Sequence, residues 1–456
     1  MKWTFVVFFA LIWNFNAQSM TPPDSTNSLV DRGTAQYFIS EGKRLYNENN
    51  YKLAILKFRE ALVKDKNNPT ATYWLGECHF ALGNYEKAKD QVEKAIELKP
   101  DVFVEASNLL GLSYHRLGNL DKAIENFQKA LGILTGTKAK ELKVQFHLDE
   151  CILAKEMMKN PVDVKIKNLS IAINSAFHEY GATLSPDGKV LYFVSRRADN
   201  RGGGTSSGDN GYFEDIYVSI WDEDKKAWTE ASNTDDLINR VNTAGFDAVS
   251  QISPDGEYLY LTINTEGLGK AARKPKTKHS DLFVCRLNSQ GEWNSPKPVG
   301  KSVNSIAFDA SSCVSPDGKV MYFVSERPGT KGGSDIYYCY KIGKDWSKPE
   351  NLGDVINTPG QETTVWTVGD GKTIFFSSTG HKGMGGYDIY MSKKENGRWT
   401  EPMNLGYPIN TVSDETHFKY YPDKNVAYYS TFSSEGNKGM GARDIFEVDM
   451  SNYKFP

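Results

Sequence analysis

From Val162 onward one pattern returns five times, and it restricts the fold more than any other feature of the chain. Each unit carries a tight turn: Ser185-Pro186-Asp187-Gly188, Ser253-Pro254-Asp255-Gly256, Ser315-Pro316-Asp317-Gly318, and the weaker Gly369-Asp370-Gly371 and Tyr421-Pro422-Asp423-Lys424. Asp-Gly is turn chemistry, because glycine takes positive φ without steric cost. An aromatic strand follows each turn, and then a second strand opening Asp215-Ile216-Tyr217, Asp281-Leu282-Phe283, Asp335-Ile336-Tyr337, Asp388-Ile389-Tyr390 or Asp444-Ile445-Phe446. Four units add a tryptophan: Trp228, Trp293, Trp346 and Trp399. The asparagines that start the units, Asn174, Asn242, Asn304, Asn357 and Asn410, are 68, 62, 53 and 53 residues apart, room for four short strands. Four-stranded units arranged radially make a β-propeller, and five lies within the known range of blade number. The fifth unit lacks its outer strand, but Asn168-Leu169 precedes Asn174 at the spacing that Asn351-Leu352 keeps before Asn357. The segment Val162–Ile171 is therefore expected to complete the fifth blade and close the ring.

A second period, of 34 to 35 residues, occupies the N-terminal part. It relates Gly42, Gly76 and Gly111; Ala54, Ala88 and Ala123; and Ala61, Ala95 and Ala130. Small residues at these places let paired helices approach, while Leu, Tyr and Phe at helical spacing fill the space between them. The pattern resembles the tetratricopeptide repeat (TPR), three copies of which are expected. Lys138–Lys159 reads as a capping helix that covers the last repeat and stops at Pro161.

The N-terminus supplies an address. Lys2 precedes an apolar run, Trp3 to Trp13, that is too short to span a membrane and reads as a secretory signal peptide. The expected organisation is a signal peptide (1–17), a flexible leader (18–34), TPR repeats with capping helix (35–160) and a five-bladed propeller (162–456). The fold class is thus an α-solenoid followed by an all-β propeller. Fifty-seven acidic against 54 basic residues give a net charge of −3, which argues against a nucleic-acid footprint. The five cysteines show no metal or redox spacing and read as buried apolar residues.

The SPDG–YF–DIY blades resemble PD40 (WD40-like) repeats of TolB-type propellers. Signal peptide, TPR and PD40 propeller in that order resemble PorE-like periplasmic proteins of Bacteroidota, found with type IX secretion. The resemblance implies a non-enzymatic periplasmic scaffold of an envelope machine such as type IX secretion or outer-membrane assembly, association with the outer membrane, and envelope proteins as partners. Those relatives usually continue into an OmpA-type domain; this chain ends at Pro456, so peptidoglycan is expected only through a partner.

Chemistry-bearing motifs are sparse. Gly204-Thr205-Ser206-Ser207-Gly208 fits G-x-S-x-G but lies in a loop between strands, without the strand-to-helix elbow that exposes a nucleophile. The loops Gly383-Met384-Gly385-Gly386 and Gly439-Met440-Gly441 precede strands rather than helices, so they form no phosphate cradle. The basic run Arg273–Lys278 reads as a solvated loop or a contact for a charged partner. No residue set implies a cofactor, a metal or a direct membrane span.

Three functions stay open: an interaction scaffold, the leading one; a carbohydrate- or peptide-binding envelope module using aromatics at the propeller mouth; and an enzyme with its site in the channel. Counting from the repeat glycines, Lys43, Tyr46, Asn47, Tyr73, Glu77, Asn108, His115 and Arg116 are expected to face a concave partner groove. Tyr73→Ala with Arg116→Ala is accordingly expected to weaken partner capture at little cost in stability. Five residues after each unit asparagine stands a carboxylate: Glu179, Asp247, Asp309, Glu362 and Glu415. Two roles are open for this ring. Each acid accepts loop hydrogen bonds that stitch the blades, or an unpaired ring attracts a cation or a basic segment.

Overall fold

The computed structural model describes residues 29–455 except 102, 207–210, 265–279, 301, 370 and 433–438. The signal peptide and the basic run Arg273–Lys278 lie outside the described residues. Three helix pairs make the repeats: α1 (Leu29–Asn47) with α2 (Tyr51–Lys64), α3 (Pro69–Ala81) with α4 (Tyr85–Leu98), and α5 (Ala106–Arg116) with α6 (Leu120–Ile133). The repeat glycines sit where nothing larger fits. A Cβ would stand 2.6 Å from Phe58 at Gly42, 2.7 Å from Val92 at Gly76 and 2.8 Å from Phe127 at Gly111. The six repeat alanines are fully buried. Asparagine side chains cap α2, α3 and α6, satisfying amides that a helix start leaves unpaired.

Two expectations need correction here. The sequence reads as a flexible leader through residue 34, but α1 begins at Leu29 and runs through Gly33, with Thr34 Oγ1 donating to the Val30 carbonyl (2.8 Å). The capping segment is two helices, α7 (Gly136–Glu141) and α8 (Val144–Lys159), because Lys143 adopts φ 50° and breaks the run. Only α8 buries a core face, through Val144, Leu148, Cys151 and Ala154.

The first two blades run in sequential strand order, β2 (Glu179–Leu184) to β5 (Ala227–Trp228) and β6 (Phe246–Ile252) to β9 (Lys297–Pro298); the third is β10 (Asp309–Val314) to β14 (Glu350–Asn351), with β13 (Asp345–Trp346) and β14 both pairing with β12 (Asp335–Ile342). The fourth is β15 (Glu362–Val368) to β19 (Met403–Asn404), and the fifth β20 (Thr416–Tyr421), β21 (Val426–Phe432) and β22 (Arg443–Asp449). The N-terminal strand β1 (Lys165–Asn168) pairs antiparallel with β22, Lys165 opposite Asp449 and Asn168 opposite Phe446, so the ring closes as the spacing predicts. Asn168 Nδ2 donates to Asp444 (2.8 Å) and its Oδ1 accepts from Asn174 (2.9 Å), just as Asn351 joins Asp335 (2.7 Å) to Asn357 (2.9 Å).

The unit asparagines join blade to blade. Each side-chain amide pairs, N–H to O and O to N–H at 2.7–3.0 Å, with one backbone residue on the third strand of the preceding blade: Ile445, Ile216, Leu282, Ile336 and Ile389 in turn. A side chain here substitutes for a strand partner, which is why the position repeats. All five cysteines are buried and unpaired, their thiols pushed up to about 12 by burial.

Candidate functional site

The predicted groove residues divide between two environments. His115 and Arg116, at the end of α5, meet the propeller. His115 Nε2 lies 2.7 Å from the Met384 carbonyl. Arg116 Nη1 donates to the carbonyls of Val412 and Ser413 and to Asp414, each at 3.2 Å. Met384 and Val412 belong to the core of repeats two and three. These two residues are therefore not part of an open groove: the chain's own second domain occupies them. Burial pushes the His115 imidazole down to about 3, leaving it neutral. Burial opposes the charge on Asp414, yet Arg116 and Arg443 outweigh it and hold the carboxyl below its ordinary range.

The platform beneath Arg116 is the Gly383–Gly386 loop, whose glycines are steric rather than phosphate-binding. A side chain at Gly386 would run into Asp414 and the Arg116 guanidinium. Asp388 holds the loop by accepting from the amides of Met384 (2.8 Å) and Gly385 (3.2 Å). The signal for this contact was the glycine density itself, which marks close backbone approach.

Repeats one and two hold a side-chain cluster of their own. Tyr73 and Tyr46 donate to Glu77 at 2.6 and 3.3 Å. Tyr73 stacks on Phe103 with centroids 4.2 Å apart, and Tyr46 meets Trp74 edge-on at 5.1 Å. The Lys43 ammonium lies 5.1 Å from the Trp74 ring and 5.8 Å from Phe103, a cation–π arrangement. Burial raises the Glu77 carboxyl, partly offset by the two tyrosine hydroxyls. Asn47 is exposed at the rim, whereas Tyr73 is only 3% exposed and Asn108 is buried with Oδ1 lacking a partner among the described residues. Tyr73→Ala with Arg116→Ala is thus no surface pair; one empties a core position and the other breaks a domain contact. Trp74 and Phe103 were missed because neither stands at a repeat position expected to face the groove.

The five carboxylates are fully buried, so they do not form an open ring at the channel mouth. Each accepts from the residue that follows its unit asparagine: Glu179 from Ser175, Asp247 from Thr243, Asp309 from Ser305, Glu362 from Thr358 and Glu415 from Thr411, through amides at 2.6–3.0 Å. Glu179 also meets Arg197 (3.3 Å) and Asp309 meets Arg327 (2.6 Å). Asp247, Glu362 and Glu415 have neutral donors instead, and burial raises all three carboxyls, Asp247 and Glu415 to about 7. The acids fasten the loops between blades rather than facing a ligand.

The axis itself is plugged. Lys419, 5% exposed, reaches from blade five to the carbonyls of Gly181 (3.0 Å) and Ser250 (2.7 Å) in blades one and two. Burial lowers its ammonium to about 7. At the turn end of the axis a cavity of about 410 Å³ lies among Pro186, Pro254, Pro316, Trp366, Tyr420 and Tyr421. Among the described residues no group of His, Cys, Asp and Glu is placed to hold a metal ion, and no helix is long and apolar enough to cross a membrane.

Residues 47–130 match the family described as anaphase-promoting complex, cyclosome, subunit 3, and the repeats are of TPR type. The chain is 29% identical over 118 residues to cell division cycle protein 27 homolog A of Arabidopsis thaliana, spanning 26% of this chain and 16% of that protein. Among solved structures, the type III secretion chaperone SycD of Yersinia enterocolitica, in complex with a peptide of the translocator YopD, is 20% identical. It covers 28% of this chain and 99% of its own, at a TM-score of 0.26. A putative TolB from Agrobacterium tumefaciens is 15% identical over 62% of this chain and 87% of its own, at a TM-score of 0.35.

Proposed function

We propose that the protein is a non-enzymatic periplasmic scaffold, exported by its N-terminal segment and working within an envelope machine of the type IX secretion kind, with a protein partner laid in the groove of repeats one and two. The observation that carries this reading is the cluster of Lys43, Tyr46, Tyr73, Trp74, Glu77 and Phe103. It offers aromatic area with both charge signs beside the exposed Asn47. Such a surface suits a peptide or helix from another protein. The propeller gives the groove a fixed base through Arg116. Affinity isolation from detergent-solubilised envelope, with wild type beside Lys43→Glu, tests it. Stoichiometric protein partners that the variant loses support the reading, and unchanged recovery of every partner removes the groove from it. A second reading, an envelope module for glycan or peptide, draws on the aromatic cavity at the turn end of the axis; glycan retention without protein partners would favour it.

A further inference from the structure

The seam between the two domains is not filled. Where the ends of α3, α5 and α8 meet blades four and five, a cleft of about 470 Å³ remains. Sites for small ligands have this size, favour domain boundaries, and are mostly apolar with a few placed polar groups. Leu117 and Met158 wall it from the repeats, and Tyr407, Val412 and Phe432 from the propeller; Arg116 is the charged residue among those lining it.

The Arg116 guanidinium lies 6.0 Å over the Tyr85 ring with its terminal nitrogens against Gly386, and its hydrogen bonding is one-sided. Its Nη1 makes all three contacts to Val412, Ser413 and Asp414, while Nε and Nη2 make no hydrogen bond among the described residues. A second guanidinium lies along the propeller wall. Arg443 is 4.7 Å over the Phe432 ring, and its Nε is buried without a partner among the described residues. Two cations act on the one Asp414 carboxylate. Glu150, whose charge also reaches Arg116, is tied to His147 at 2.8 Å and has its carboxyl raised by burial.

We propose that this seam binds an apolar body ending in a carboxylate, with the body against Met158, Leu117 and Phe432 and the carboxylate on the Nε/Nη2 edge of Arg116. Two parallel N–H donors on that edge match the two oxygens of a carboxylate. Methionine and aromatic walls adapt to varied apolar shapes. A free fatty or aryl acid and the C-terminal residue of a protein chain share this chemistry. The site is separate from the concave groove and does not depend on it.

Titration calorimetry on the full chain tests the proposal with decanoate against decanol, and with acetyl-Gly-Leu-Phe as acid against its amide. At least one acid is expected to bind about tenfold or more tighter than its uncharged counterpart. Binding by decanoate alone assigns a free acid, and by the tripeptide alone a chain end. Met158→Trp, which fills the cleft and leaves Arg116 in place, is expected to abolish binding. Ala442→Leu replaces it if the tryptophan lowers the melting temperature. Equal affinity for charged and uncharged probes, no binding of either acid, or binding that survives the filled cleft overturns the proposal.

Discussion

Asn47 and Arg116 stand five residues after the glycines of repeats one and three, so helical geometry turns them the same way. One is exposed, and the other is bonded to Val412, Ser413 and Asp414 of the propeller. Tyr46 and His115 form a second equivalent pair with the same division: the tyrosine serves its own groove through Glu77, and the imidazole is sealed against Met384. Repeat position therefore sets the direction of a side chain on the solenoid, while what it meets depends on where the neighbouring domain sits. Equal positions became an exposed face at one end and an internal joint at the other.

The largest expected effect lies at Arg116. Arg116→Ala removes the nearer of two cations acting on the part-buried Asp414, together with two bonds to propeller carbonyls, a loss of about 1–3 kcal/mol. Scanning calorimetry is expected to show the melt divided into a repeat and a propeller transition. A single unsplit transition at the wild-type temperature would remove Arg116 from the joint.

The two buried titrating groups near the joint sharpen the contrast through pH. The Glu415 carboxyl is raised from 4.5 to about 7, so the folded state holds an extra proton, and this stabilisation is lost as pH rises through that window. The His115 imidazole is lowered from 6.5 to about 3, so the folded state binds fewer protons, and its stabilisation is lost as pH falls below 6.5. Between about pH 4.5 and 6.5 the two slopes oppose each other, each at most about 1.4 kcal/mol per pH unit. Relative to wild type, the melting temperature of Glu415→Gln should therefore climb with pH and that of His115→Asn should decline. Parallel behaviour of the two variants would contradict the burial assigned to one of them. Tyr46, the equivalent of His115, does not itself titrate there, but Tyr46→Phe removes one of the two hydroxyls that hold the Glu77 carboxyl down; it should cost about 1 kcal/mol, a cost that grows as pH rises through the carboxylate range.

The smallest effect on stability belongs to Asn47→Ala, within about 0.5 kcal/mol as for ordinary surface changes. Its consequence should appear in partner recovery instead, and recovery equal to wild type would place the groove's contact deeper, on Lys43 and Tyr46.

Much of the architecture was legible because it rests on contacts between elements at a fixed separation in the chain. The glycine and alanine period reports helix pairs touching within a repeat, as Gly42 does Phe58. The asparagine spacing reports an amide that must reach the third strand of the blade before it. Even ring closure followed, since Asn168 repeats the contacts of Asn351. The carboxylate period was equally plain, but it shows only that five acids share a position. Whether that position reaches the surface is set by the loops folded over it, and these leave all five acids buried. Likewise the joint between the domains has no period to announce it. Arg116 and Asp414 are 298 residues apart, and they meet once. A contact made once leaves no repeat in the sequence, so the tertiary structure alone decided which of the equivalent residues remain free to meet a partner.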